Sequence, residues 1–414
     1  MRLCIVSAKY PYGQKEPFLD TELRGLAAPR DPITVFPTSP EAAAFGYADV
    51  PADVVRLPLA GPATLALAAR TCARRPLRAL AALAALIGER YPLRAKLKNL
   101  AVVPKGLALA EIARARRFEH IHAYWLSTPA TVGWIAARVA GIPFSATTHR
   151  WDLYENNLAA RKLRDARFVR TISERGRRDL LKLTGGDPAK AVVVRLGVEL
   201  PAPRPVSVPA GEGGAPFVAA EPLSDRARPL RILCAARLVA VKGHAVLVAA
   251  LALLRARGVP FACTLAGEGE LRGEIERAIE AAGLGDAVRL AGDVPHDQLL
   301  AQLEAGEYDV SVISSIERPG GLMEGVPVAL IEAMAAGAVV VGTDSGSVSE
   351  LVDGTTGLLV PQSDPAALAE ALARLARDPE LRARLREAAR QRVEVDFDRT
   401  RTTARLRAMM ASSS

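Results

Sequence analysis

Short apolar runs alternate with helix-length segments along the chain. Leu3–Ser7 is the first run, Lys9–Glu16 reads as a loop and Phe18–Ala27 as a helix. The apolar runs Ile121–Tyr124, Phe144–Thr148, Arg167–Ile172 and Val192–Arg195 follow, with a helix predicted over Pro129–Ala140 that ends at Gly141. A second series begins at Arg231–Ala236, which leads into the loop Arg237–Gly243 and a helix over Ala245–Arg257. Ala262–Ala266, Val288–Ala291, Val310–Ser315 and Val339–Gly342 are further strand-length runs. Runs apolar on both faces, with helices between them, mean parallel sheets covered on both sides. The tail over Asp364–Met410 is helical, with Asp364-Pro365 and Asp378-Pro379 as start signals.

A chain of 414 residues is too long for one core. The stretch Pro201–Pro229 is rich in Pro, Gly, Ala and Ser and lacks periodicity, so it reads as a linker. The expected fold class is α/β, two Rossmann-like domains facing a cleft. Residues 1–199 are expected to form the N-terminal domain, 200–229 the linker and 230–392 the C-terminal domain. Residues 393–414 form a final helix that crosses back to the first domain.

The most informative stretch runs from Ser314 to Thr343. It reads as a buried strand, a Gly/Pro-rich loop, a short helix and another buried strand. Pro327 suits the first helical turn and Gly337 the residue just past the helix end. Glu324 therefore lies in the loop and Glu332 inside the helix, both at the carboxyl edge of a parallel sheet, where open α/β sheets bind ligands. A helix N-terminus there offers free N–H groups to an anion. One carboxylate for hydroxyls, one beside a reacting centre and a phosphate seat suggest a sugar nucleotide. Arg237 and Lys242 flank the loop after the first strand of the second half, where a diphosphate needs positive charge. His149 ends the run Phe144–Thr148. A lone histidine is more often a satisfied core residue, but its place at a strand end points to a ligand contact.

Other chemistry is absent from the pattern. Cys4, Cys72, Cys234 and Cys263 form no C-x-x-C pair and read as small apolar residues of a reduced, cytoplasmic chain. His120, His122, His244 and His296 have no metal-ligand spacing, so no metal is expected. Asp396-Phe397-Asp398 matches a D-x-D pattern, but Asp398 reads as a helix cap. No G-x-G-x-x-G follows the first strand, where only Gly13 stands, which argues against an NAD enzyme. Met1–Ala8 resembles a first strand rather than a secretion signal, and the apolar Ala79–Gly88 is too short to span a bilayer.

Charge is uneven. Residues 1–200 carry a net +14 and residues 201–414 a net −5. The excess peaks at Arg70, Arg74, Arg75 and Arg78, then at Arg90, Arg94, Lys96 and Lys98. Such a cluster is either a solvated face or a surface for anionic lipid headgroups, with peripheral attachment to the inner membrane face. Without interleaved aromatics or a recognition motif, no nucleic-acid partner is expected.

Together these residues resemble the retaining glycosyltransferases of family 4, of the two-domain GT-B fold. A-A-R-L-V-A-V-K-G-H, A-G-E-G-E-L-R and E-G-V-P-V-A-L-I-E-A-M-A-A-G carry the resemblance, the last being the family's E-x7-E signature. It is strongest over 230–375 and looks closest to enzymes of polysaccharide and secondary-metabolite pathways. It implies a hexosyltransferase that moves sugar from a nucleoside-diphosphate sugar to a glycan, lipid-linked or small-molecule hydroxyl. A UDP-sugar is expected ahead of a GDP- or dTDP-sugar, with no cofactor. By position, Arg237 and Lys242 would hold the diphosphate, Glu332 the ribose, and Glu324 the reacting centre. The amides of Gly325 and Val326 would touch sugar or phosphate, Gly13 would approach the diphosphate, and His149 would contact the sugar. The chain departs from the family at Gly13-Gln14, at Arg150, and at Ser345–Glu350, where G-G-x-P-E is usual. An epimerase of the same architecture and a non-catalytic basic membrane-binding protein are the alternatives. The intact Arg237, Lys242, Glu324 and Glu332 set disfavours the second.

Overall fold

The structure, a computed structural model, describes residues 1–12, 16–27, 32–39, 52–201, 228–319 and 322–412. Gly13 and most of the expected linker lie outside the described residues. The chain divides into two units: Met1–Gly197 with Arg399–Ser414, and Val198–Asp398.

The N-terminal unit is built on a sheet of parallel strands: β1 (Leu3–Ser7), β2 (Ile33–Pro37), β3 (Asp53–Val54), β4 (His120–Tyr124), β5 (Phe144–Thr148), β6 (Val169–Thr171) and β7 (Ala191–Val193). Their order is β3-β2-β1-β4-β5-β6-β7. The other unit holds β8 (Leu230–Ala235), β9 (Phe261–Ala266), β10 (Val288–Gly292), β11 (Val310–Ile313), β12 (Val339–Thr343) and β13 (Leu358–Val360). These are also parallel, in the order β10-β9-β8-β11-β12-β13. Central strands such as β11 and β12 are buried along their whole length, because helices cover both faces.

Between residues 28 and 120 the sequence pattern suggests only an apolar stretch. The structure places β2, β3 and the helices Pro62–Arg74, Pro76–Gly88, Leu93–Ala101 and Val103–Arg116 there. Alanine and leucine fill these helices so densely that no apolar period stands out, although proline in the first turn starts three of them. The last helix starts at Arg399 rather than 393, because Pro379–Asp396 is an unbroken helix of the other unit. It packs on the helix Pro17–Leu26: a Cβ on Gly25 would meet Thr403 Oγ1 at 2.6 Å.

One buried ion pair locks the N-terminal unit. Arg170 on β6 donates to both carboxylate oxygens of Glu22, at 2.9 and 2.6 Å, and to the carbonyls of Val194 and Arg195. Both side chains are buried. Truncating one partner strands the other charge in the core, so Glu22→Ala should cost about 3–5 kcal/mol in urea unfolding. Glu22→Leu combined with Arg170→Met should recover most of that. A loss below about 1 kcal/mol for Glu22→Ala would match a surface pair instead.

Candidate functional site

The strand order of the C-terminal unit reverses between β8 and β11, which opens a crevice at their carboxyl ends. The two loops there are tied together. Ile316 N–H donates to the Val241 carbonyl at 2.9 Å, and Ser314 Oγ donates to the Gly243 carbonyl at 3.0 Å. Gly243 has φ +63°, and a Cβ on it would lie 2.0 Å from the Ser314 carbonyl oxygen, so no larger residue fits. It is the N-cap of the helix His244–Ala256, and no side chain caps that helix. Val246 N–H donates back to the Gly243 carbonyl at 2.9 Å, which leaves the N–H groups of His244 and Ala245 for an anion.

At this point Lys242 Nζ donates to Glu324 Oε2 at 2.7 Å, and Ser315 Oγ donates to the same oxygen at 2.7 Å. Burial pushes the Glu324 pKa up. The Lys242 charge and hydrogen bond, Ser315 and the Gly325 amide outweigh that and hold the carboxyl below the ordinary glutamate range. Glu324 is therefore a carboxylate with a fixed cation beside it. Its backbone is seated as tightly: Gly346, at φ +64°, passes so close that a Cβ would lie 1.8 Å from the Glu324 carbonyl oxygen. Gly346 N–H also donates to Glu317 Oε1 at 3.1 Å. Gly346, within the run Ser345–Glu350, is thus part of this site.

Arg237 starts the loop after β8 and is exposed, with no side-chain partner among the described residues. The Gly325 Cα has open space beside it, whereas the Val326 side chain lies in the core with Leu330 and Met334, so only its backbone is available to a ligand. Glu332 lies in the helix Val328–Ala335; Pro327 is that helix's N-cap rather than a residue of its first turn, and Gly337 follows the helix at φ +83°. Its Oε1 is 2.8 Å from His296 Nε2, and that contact raises the His296 pKa. Sequence spacing gave no hint of this pair, because the partners lie on different helices. His244 was missed too. It is buried at the helix head with neither ring nitrogen hydrogen-bonded, and burial, with the Lys242 charge, pushes its pKa down to about 4.

In the N-terminal unit the order reverses between β1 and β4. Glu16 gathers the loop after β1, accepting from the amides of Ala8, Lys9 and Tyr10 and from Trp125 Nε1 at 2.5 Å. His149, at the end of β5, packs between Trp125 and Phe18 with ring centroids 4.4 and 4.7 Å away. It is buried, and neither ring nitrogen has a hydrogen-bond partner. Trp125 holds φ +76°, a strained conformation that no residue pattern announces. Among the described residues no group of three or more His, Cys, Asp or Glu is placed to hold a metal. Asp396 pairs with Arg392.

Residues 23–201 match the family described as glycosyltransferase family 4, and residues 221–392 match glycosyl transferases group 1. The chain belongs to the family-4 glycosyltransferases. The amylovoran biosynthesis glycosyltransferase AmsK of Erwinia amylovora is 37% identical over 172 residues, 41% of this chain and 42% of that protein. The putative colanic acid biosynthesis glycosyltransferase WcaL of Escherichia coli is 35% identical over 222 residues, 53% of this chain and 50% of that protein. The chain spans about half the length of these curated relatives. A crystal structure of Anabaena Alr3699/HepE in complex with UDP matches the whole chain with a TM-score of 0.70 at 17% identity, covering 100% of both. The family's GT-B fold is thus shared.

The buried histidines make stability pH-dependent. Burial pushes His120 and His149 down to about 3 and His122 well below its ordinary value. Rings kept neutral in the native chain, but titrating near 6.5 in the unfolded one, give stability that is complete above about pH 6.5 and lost as pH falls toward 3. Asp152, raised by burial to about 7, works in the opposite sense and loses stability as pH rises from its ordinary value. Three histidines outweigh one aspartate in the N-terminal unit. Its urea midpoint should drop from about pH 6.5 to about pH 4, each histidine contributing up to about 1.4 kcal/mol per pH unit. A flat midpoint across that window would contradict this balance.

Proposed function

We propose that the protein is a retaining, metal-independent hexosyltransferase that moves sugar from a nucleoside-diphosphate sugar to a hydroxyl acceptor. The Lys242–Glu324 pair at the head of the helix His244–Ala256 carries this reading. A diphosphate at the helix N-terminus would find a lysine, unpaired amides and a neutral histidine, all held in place before it arrives. UDP is the favoured nucleotide. UDP and UDP-glucose are bound in solved structures of Anabaena HepE, which shares the fold.

In the proposed step the bond from the anomeric carbon to the phosphate oxygen breaks. The acceptor oxygen bonds to the same face of that carbon, and the acceptor proton passes to the leaving phosphate. Lys242, Arg237 and the helix N-terminus offset the charge growing on that phosphate. Glu324 steadies the positive charge developing on the sugar. Glu332 accepts from the ribose hydroxyls through the oxygen that His296 leaves open. Gly325 and Val326 offer amides, and His149 is assigned to the sugar. Gly13 keeps its assignment to the diphosphate on resemblance alone. The acceptor is a glycan, lipid-linked or small-molecule hydroxyl, and the amylovoran and colanic acid biosynthesis that AmsK and WcaL are named for favours a glycan.

Arg237→Ala and Lys242→Ala should each weaken nucleoside-diphosphate binding by about 1.5–3 kcal/mol in calorimetry, the range for hydrogen bonds to charged groups. Lys242→Ala should also lower the melting temperature, since it leaves Glu324 buried and unpaired, whereas Arg237→Ala should not. Unchanged affinity in both variants would remove the diphosphate from this loop.

Glu332→Gln should weaken donor and free nucleotide alike, while Glu324→Gln should lower kcat and spare free-nucleotide binding. The same defect in both would reject the division of roles. Transfer should persist in excess EDTA, and a loss restored by Mg²⁺ or Mn²⁺ would overturn the metal-free step.

A further inference from the structure

The helices Pro76–Gly88 and Leu93–Ala101 expose an apolar face that no other described residue covers. Leu77, Leu80 and Ile87 are 80%, 61% and 54% exposed, and Leu93 and Leu97 are 69% and 60% exposed. On the first helix, Leu77, Leu80, Ala84 and Ile87 follow spacings of three and four and form one stripe. The opposite face, through Ala82 and Leu86, is buried. Leu93 and Leu97 repeat the pattern one turn apart, with Ala95 and Asn99 buried behind them.

Positive charge dominates the segment that carries this face. Residues 61–100 hold eight Lys or Arg and a single acid, Glu89, which is neutralised by Arg161 and Arg164. Not all of the cations are available. Arg74 pairs with Glu111, Lys98 with Glu155, and Arg78 donates to the Val139 carbonyl. Arg70 adds its charge to that of Arg74 and Arg114 near Glu111, whereas Arg75, Arg90 and Arg94 have no side-chain partner among the described residues. Exposed leucines interspersed with arginines along the same two helices and their flanks fit a surface that is anionic outside and apolar just beneath. A second copy of the chain would bring like charge against like charge. No helix of the described residues is long and apolar enough to cross a membrane.

We infer that this face docks on an anionic lipid bilayer, with Leu77, Leu80, Ile87, Leu93 and Leu97 entering the acyl boundary and Arg75, Arg90 and Arg94 on the headgroups. The inference does not depend on the proposed transfer chemistry.

Flotation with phosphatidylcholine vesicles, with and without phosphatidylglycerol, tests it. The parent protein should float only with the anionic vesicles. Arg75→Ser, Arg90→Ser and Arg94→Ser together should lower partitioning roughly 100-fold, at about 1 kcal/mol per basic residue near the surface. Leu77→Ser, Leu80→Ser and Ile87→Ser together should lower it tenfold or more at unchanged charge, by loss of buried apolar area. All these side chains are exposed or on the rim, so both variants should melt like the parent and keep its nucleotide-induced melting shift. A parent that stays in solution, or a leucine variant that floats like the parent, would overturn the inference. So would a leucine-dependent dimer in sedimentation velocity, which would give the face to a second copy.

Discussion

The Lys242–Glu324 pair is the interaction on which the candidate site depends. Two charges taken from water lose more by desolvation than their attraction returns unless further hydrogen bonds complete them. Ser315 and the Gly325 amide do so on the carboxylate side. The pair also fixes the distance between two loops that leave neighbouring strands. Parallel pairing of β8 with β11, Ile232 opposite Val310 and Leu233 opposite Ser311, sets where those loops start. The Ser314 and Ile316 bonds then set where they go. A cation placed in this way needs little rearrangement when charge builds up on a leaving phosphate.

Two glycines make that closeness possible. Gly243 lets the loop after β8 pass over the Ser314 carbonyl, and Gly346 lets the loop after β12 pass over that of Glu324. Both take left-handed φ values, so a side chain would be strained as well as crowded. In the N-terminal unit Glu16 plays the organising part that Glu324 plays in the other, gathering three amides and an indole at the reversal of strand order. His149 is kept neutral and without a hydrogen-bond partner beside it, an arrangement that burial alone makes costly and that a ligand would complete.

Much of this was legible in the residues. The spacing of Glu324 and Glu332 around Pro327 and before Gly337 placed one acid in a loop and one in a helix, because caps and prolines act locally. Asp364 and Asp378 cap their helices through the amides of Ala367 and Leu381, again a local signal. What stayed hidden depends on elements far apart in sequence. The His296–Glu332 contact, the Lys242–Glu324 pair and the Arg170–Glu22 lock join separate elements, and no period encodes them. The helices between 62 and 116 were hidden for another reason: alanine and leucine occupy exposed and buried faces alike. That ambiguity has a physical content, since the leucines at 77, 80, 93 and 97 do face outward.

The claim that the β8–β11 crevice is the donor site is tested most directly by a crystal structure of the protein with bound UDP. The account predicts the diphosphate on Lys242 and the amides at the head of the helix His244–Ala256, and the ribose hydroxyls on Glu332. A diphosphate bound elsewhere, with the Lys242–Glu324 pair facing only solvent, would contradict it.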